Sequence, residues 1–178
     1  MRTEALFVTS GLDSVKVFDV SNPALPVELG AIHSAHFENE AMTCGERRTK
    51  KGVKRFALIG VDLYQLSEDP AHYNVGGNEL VVVDVTDPFK PVMKSRLSLT
   101  SGAHTVACVD EFDCRYAYSS GGSGGFSVVD LRNLAKPREV DAAAGKDGVQ
   151  PFASPTSGHK WNFDDAGYGI HTGRDGTA

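Results

Sequence analysis

The sequence predicts an all-β chain assembled from a repeated strand–turn–strand unit. Three stretches align without gaps: VKVFDVSNPALPVELG from Val15, LVVVDVTDPFKPVMKS from Leu80 and FSVVDLRNLAKPREVD from Phe126. In each, an apolar run with β-branched residues ends at an aspartate, Asp19, Asp84 or Asp130, and β-branched side chains pack well on a pleated surface. A proline then follows seven positions later, since 26 − 19, 91 − 84 and 137 − 130 all equal 7.

Each unit reads as strand, turn, strand. The apolar run is flat enough to be buried on both faces. Next comes Ser-Asn-Pro, Thr-Asp-Pro or Arg-Asn-Leu, where Asn and Asp side chains can bond the backbone two residues on and proline fixes φ. Pro26, Pro91 and Pro137 open the following strand. A residue with no N–H to donate suits an outermost strand whose free edge should discourage pairing. Upstream of the units lie ALFVTSG, KRFALIGVD and RYAYSSGG, which read as second strands. Upstream of those lie HFENEAMTCGE, HTVACVDEFD and, near the C-terminus, HKWNFDDAG, which read as first strands.

The unit spacings, 84 − 19 = 65 and 130 − 84 = 46, bracket the ~40–50 residues of a four-stranded propeller blade, the longer one absorbing an insertion. The expected architecture is therefore a β-propeller fragment of about three four-stranded antiparallel blades plus part of a fourth. Blade one covers 5–32 and lacks its innermost strand, blade two covers 36–99, blade three 104–143, and a partial blade four 159–178. The fourth stops after GYGIHTG, where another Val-rich strand should begin.

With 178 residues, 40% hydrophobic and 23% charged, the chain has the profile of a soluble globular protein able to bury a core. Its net charge of −5 argues against nucleic acid or an anionic membrane as partner, because both reward a basic surface. No apolar run approaches the ~18–20 residues of a membrane span, so no membrane insertion is expected. The opening MRTEALFVTS lacks the layout of a signal peptide.

The units resemble the LVIVD repeat, named for a run like Leu80-Val81-Val82-Val83-Asp84 and found in β-propeller proteins that are mainly bacterial and often secreted. The resemblance covers essentially the whole chain. It is specific for fold and almost silent on activity, since propellers host enzymes, binders and scaffolds alike. It implies a longer parent chain and a secreted or extracellular location, the signal peptide being absent here. About three blades cannot close a ring, so self-association or pairing with missing blades is expected.

Cys108 and Cys114 flank the tip of a predicted hairpin, where facing positions could bring their Cα atoms within disulfide range. The alternative is two free thiols, the expected state in a reducing cytosol. Cys44 occupies the position equivalent to Cys108 and reads as a free, buried thiol.

His36, His104 and His159 each sit at the start of a predicted first strand, the innermost strand of a blade, and would converge on a central channel. One imidazole per blade is a way to build a metal site from residues far apart in sequence, and zinc, copper, iron or nickel would suit it. His33, Glu38 and Glu40 lie near His36 and could supplement it. The structural alternative is that a residue recurring in every unit serves the unit itself. His72 and His171 read as surface or packing residues, and Trp161 as core between blades. Asp19, Asp84 and Asp130 read as turn-closing side chains, and Asp164 and Asp165 as hairpin-turn residues.

Gly121 to Gly125 read as a hairpin connection, since a phosphate-cradling loop needs Lys-Ser/Thr and a helix after it. The basic run Arg47 to Arg55 reads as the solvated loop of a hairpin between first and second strands, or as a docking patch for an acidic surface. The insertion from Tyr64 to Asn78 is longer than an ordinary hairpin link, and its Tyr64 and Tyr73 could form a ligand rim.

The functional expectation is an extracellular propeller-type binding or interaction module for a protein or small molecule, with catalytic residues and enzyme status undetermined. The competing expectation is a metal-dependent oxidase or hydrolase whose channel histidines hold a transition metal.

Overall fold

The computed structural model describes residues 5–11, 13–33, 42–61, 78–100, 103–121, 126–140, 158–173 and 176–177. They form four antiparallel sheets with no helix among the described residues. In chain order these are β1 (Leu6–Ser10), β2 (Ser14–Asp19) and β3 (Val27–His33); β4 (Met42–Thr49), β5 (Gly52–Val61), β6 (Glu79–Asp84) and β7 (Val92–Ser98); β8 (Thr105–Cys108), β9 (Tyr116–Ser120), β10 (Phe126–Asp130) and β11 (Arg138–Glu139); and β12 (Gly158–Phe163), β13 (Gly169–Gly173) and β14 (Gly176–Thr177). Every sheet is a meander, each strand pairing with its sequence neighbour.

One turn is built three times. The Oδ1 atoms of Asp19, Asp84 and Asp130 accept the backbone N–H two residues on, from Ser21 at 2.8 Å, Thr86 at 2.9 Å and Arg132 at 3.0 Å. Three residues later Asn22, Asp87 and Asn133 repeat the bond to Ala24, Phe89 and Ala135. Their carbonyls close the turn on the N–H groups of Leu25, Lys90 and Lys136. Short polar side chains that mimic a backbone turn are what this geometry selects. Pro26, Pro91 and Pro137 then stand immediately before β3, β7 and β11. The same register shift recurs too, at Val17/Phe18 in the first sheet and Val82/Val83 in the second.

The sheets stack face to face through three cores, and strand parity decides which core each side chain enters. Ala57, Ile59, Val61, Val81 and Val83 of the second sheet meet Val8, Val15 and Val17 of the first. Phe56, Leu58, Leu80 and Val82 point the other way, toward Val106, Cys108, Cys114, Ala117, Val129 and Leu131 of the third. Phe126 and Val128 face Trp161 of the fourth. A strand buried on both faces must be apolar at consecutive positions, which is why Leu80 to Val83 form an unbroken run.

Turns also dock onto the preceding sheet. A Cβ on Gly30 of β3 would stand 2.6 Å from the Pro88 carbonyl oxygen, so the second sheet's turn approaches β3 more closely than a side chain there allows. At the matching position of β7, the Ser95 hydroxyl donates to the Leu134 carbonyl at 2.8 Å.

Two features depart from the expected pattern. The fourth sheet carries a two-residue third strand, β14, whose Gly176 and Thr177 pair with Gly173 and Thr172. The basic run is mostly strand rather than loop: only Lys50 and Lys51 form the turn between β4 and β5. Arg47 reaches across to Asp113 at 3.3 Å and to the Leu131 carbonyl at 2.9 Å.

Candidate functional site

The first strands of three consecutive sheets share one cavity of about 680 Å³. Met42 and Thr43 of β4, Val106 to Cys108 of β8 and Lys160 to Phe163 of β12 line it, together with the hairpins that follow β8 and β12. Those hairpins bring Asp110, Glu111, Asp164 and Asp165 to the lining, where Lys160 is the ammonium among them. Each hairpin is closed by its own first aspartate. Asp110 accepts from the N–H groups of Phe112 and Asp113, and Asp164 accepts from those of Ala166 and Tyr168.

The hairpin after β8 is further tied by a disulfide between Cys108 and Cys114, whose Cα atoms lie 5.5 Å apart. Both cysteines are buried against the second sheet. Gly45 of β4 is the contact point, since a Cβ there would sit 2.8 Å from the Cys114 Cβ and 2.9 Å from the Cys108 sulfur. The hairpin is also bonded to β4, with the Glu46 N–H donating to the Glu111 carbonyl and the Cys114 N–H to the Glu46 carbonyl.

At the opposite end of β8 and β12, His104 and His159 meet. Their Nε2 atoms are 3.2 Å apart and their rings cross nearly edge-on, with centroids 4.7 Å apart. Thr105 locks the two strands beside them, its hydroxyl donating to the His159 carbonyl at 2.6 Å. The backbone carrying His104 is seated between two glycines. A Cβ on Gly60 would fall 2.1 Å from the Ala103 carbonyl oxygen, and one on Gly121 2.3 Å from the His104 Cβ.

His36 lies outside the described residues, as do Glu38, Glu40, Tyr64, His72 and Tyr73. Cys44 pairs with Ala57 as Cys108 pairs with Ala117. His33 is the exposed last residue of β3.

His171 is buried, and its ring stacks on Trp161 with centroids 4.5 Å apart. Burial pushes its imidazole pKa below the ordinary value. It belongs to an aromatic cluster with Tyr118, Phe126, Trp161 and Phe163, and burial raises the Tyr118 phenol. Trp161 lies in the core between the third and fourth sheets, with its Nε1 buried and lacking a hydrogen-bond partner.

Cys44 is free and exposed rather than buried. It stands at the wall of a smaller cleft of about 230 Å³ with Leu6, Val8, Phe56, Glu111 and Phe112. The protein packed around its sulfur, and then the Glu111 carboxylate, push its thiol above the ordinary range.

The repeated aspartates are structural. Asp130 is held well below the usual carboxylate range, first by hydrogen bonds from the Arg132 guanidinium; burial opposes this, and Arg138 reinforces it. For Asp84, burial pushes upward but is outweighed by bonds from Thr86 and by Lys54 and Lys94, leaving its pKa lowered.

The family model of the LVIVD repeat matches residues 7–33 and 66–98. The chain carries LVIVD repeats. Such repeats are associated with β-propeller-like structures. The first match runs from β1 through the last residue of β3, and the second ends at the last residue of β7. The unit at Phe126 lies outside both matches yet builds the same aspartate-closed turn. No curated protein matches the chain.

Proposed function

We propose that the chain is an extracellular β-propeller-type binding module, its four sheets being successive blades and the cavity between β4, β8 and β12 its ligand site. The observation that carries this reading is the shared cavity of about 680 Å³, within the size range of small-ligand sites. Its lining pairs apolar surface from Val106, Trp161 and Phe163 with four carboxylates, a combination that favours an apolar ligand bearing positive charge. The Cys108–Cys114 bridge supports an oxidising compartment.

Further blades, from a second copy or another segment, would complete the ring. In support, Phe7 on the first sheet is 56% exposed and cross-strand from Phe18, and Ile170 on the fourth sheet is 46% exposed. Native mass spectrometry tests this: a defined oligomer supports completion between copies, and a strict monomer counts against it.

Ligand binding is tested through the chain's single tryptophan, Trp161. Titration with arylalkylamines and with the matching arylalkyl carboxylates should change its fluorescence with saturation for the amines, and Thr43→Phe, which fills the cavity from β4, should abolish that response. Equal, non-saturating responses to both series, or a response unchanged in Thr43→Phe, would overturn the reading.

A further inference from the structure

We infer that His104 and His159 form a two-imidazole bite for a tetrahedral divalent transition metal, with zinc as the ion the geometry fits. The argument is one of spacing. Zinc–nitrogen bonds are about 2.0–2.1 Å long, so two Nε2 atoms 3.2 Å apart subtend roughly 100–106° at a metal bound to both, close to a tetrahedral angle. Both rings already face each other across that gap, with centroids 4.7 Å apart.

The positions are preorganised. Gly60 and Gly121 admit the backbone of 103–104 where a Cβ would collide, and Thr105 holds the His159 carbonyl at 2.6 Å. Strands from two different sheets are thus fixed with their imidazoles converging. That fixing lowers the ordering cost of binding, as preorganisation does generally. Both Nε2 atoms must be unprotonated to bind, so the proton shared across the contact moves to Nδ1 as the metal enters. Two imidazoles leave two tetrahedral positions, which water or a donor atom of a ligand would take, as in catalytic zinc centres that keep an open position.

The site is separate from the cavity between β4, β8 and β12, whose lining includes neither histidine. The histidines stand at the starts of β8 and β12, whereas the Asp110 and Asp164 hairpins follow their ends, so loss of one site leaves the other intact.

The test is isothermal titration of zinc chloride into untagged, chelator-treated protein in a Cys44→Ser background, with cobalt absorption as a second readout of coordination geometry. One equivalent should bind, cobalt should give the intense visible bands of a tetrahedral complex, and His159→Gln should weaken binding at least about tenfold. His159 is exposed, so that variant keeps the fold, which circular dichroism verifies. His33→Gln, at the end of β3, should leave binding unchanged. No saturable binding, an octahedral cobalt spectrum, or binding that survives His159→Gln would each overturn the assignment.

Discussion

Breaking the Cys108–Cys114 bridge should destabilise the third sheet's first hairpin by an amount set by the loop it closes. The cysteines are 6 apart in sequence, so the loop holds seven residues counting both, and the chain-entropy relation gives about 2.3 kcal/mol at 25 °C. For a chain of this length that corresponds to a fall in Tm of roughly 5–9 °C. The reduced sulfurs must also separate against Gly45, where β4 has no room to spare, so the loss should not be smaller than the entropic figure. Thermal unfolding with and without a phosphine reductant measures it, and alkylation of denatured protein followed by mass spectrometry fixes the starting state. Of the three cysteines, one should take the label before reduction and three after. Three labels without reductant, or a Tm moved by less than about 1 °C, would refute the reasoning.

Leu58 is fully buried in the core between the second and third sheets, so Leu58→Ala should cost about 3–5 kcal/mol; exposed Leu25 in the first turn should cost within about 0.5 kcal/mol when made Ala, and urea unfolding compares the two. Asp130 has a folded-state pKa depressed by Arg132 and Arg138. Its contribution is therefore fully present above its unfolded value of about 4 and is lost as pH falls below that. The Tm gap between wild type and Asp130→Asn should accordingly hold steady above about pH 5 and narrow progressively as pH falls from about 4 to 2, and a gap that stays constant over that fall would count against the pairing. The Cys44 thiol, raised by the protein packed around its sulfur and then by Glu111, should react slowly with alkylating reagents in native protein and faster as pH rises. Glu111→Gln should speed it, and an unchanged rate would mean that the carboxylate has no part.

Strand order was legible because one unit recurs, and because an apolar run closed by Asp, then Asn or Asp, then Pro dictates strand, turn and strand wherever it occurs. Leu80 to Val83 read as buried on both faces, and the two cores that divide them account for it. Local chemistry likewise gave the turn roles of Asp19, Asp84 and Asp130 and the core position of Trp161. What escaped is set by the approach of one sheet to the next. Nothing local to Gly45, Gly60 or Gly121 says that a neighbour occupies the place of its Cβ. The register adds that Cys44 and Cys108 pair with the matching residues Ala57 and Ala117, as their places in the repeat imply. Cys44 read as buried by analogy with Cys108, but its side chain faces the cleft beside β1 rather than the core that holds the disulfide. The hairpin joining β12 and β13 was legible from Asp164 and Asp165, but the register that sets His171 opposite Trp161 and stacks their rings was not.

Face-to-face stacking of consecutive sheets places β4, β8 and β12 around one cavity, and methyl–methyl nuclear Overhauser contacts along β6 test it most directly. Val81 and Val83 should contact methyl groups of the first sheet, Val15 and Val17, while Leu80 and Val82 contact those of the third, Val129 and Leu131. If neighbouring residues of β6 instead contact the same sheet, the sheets do not stack and the shared cavity does not exist.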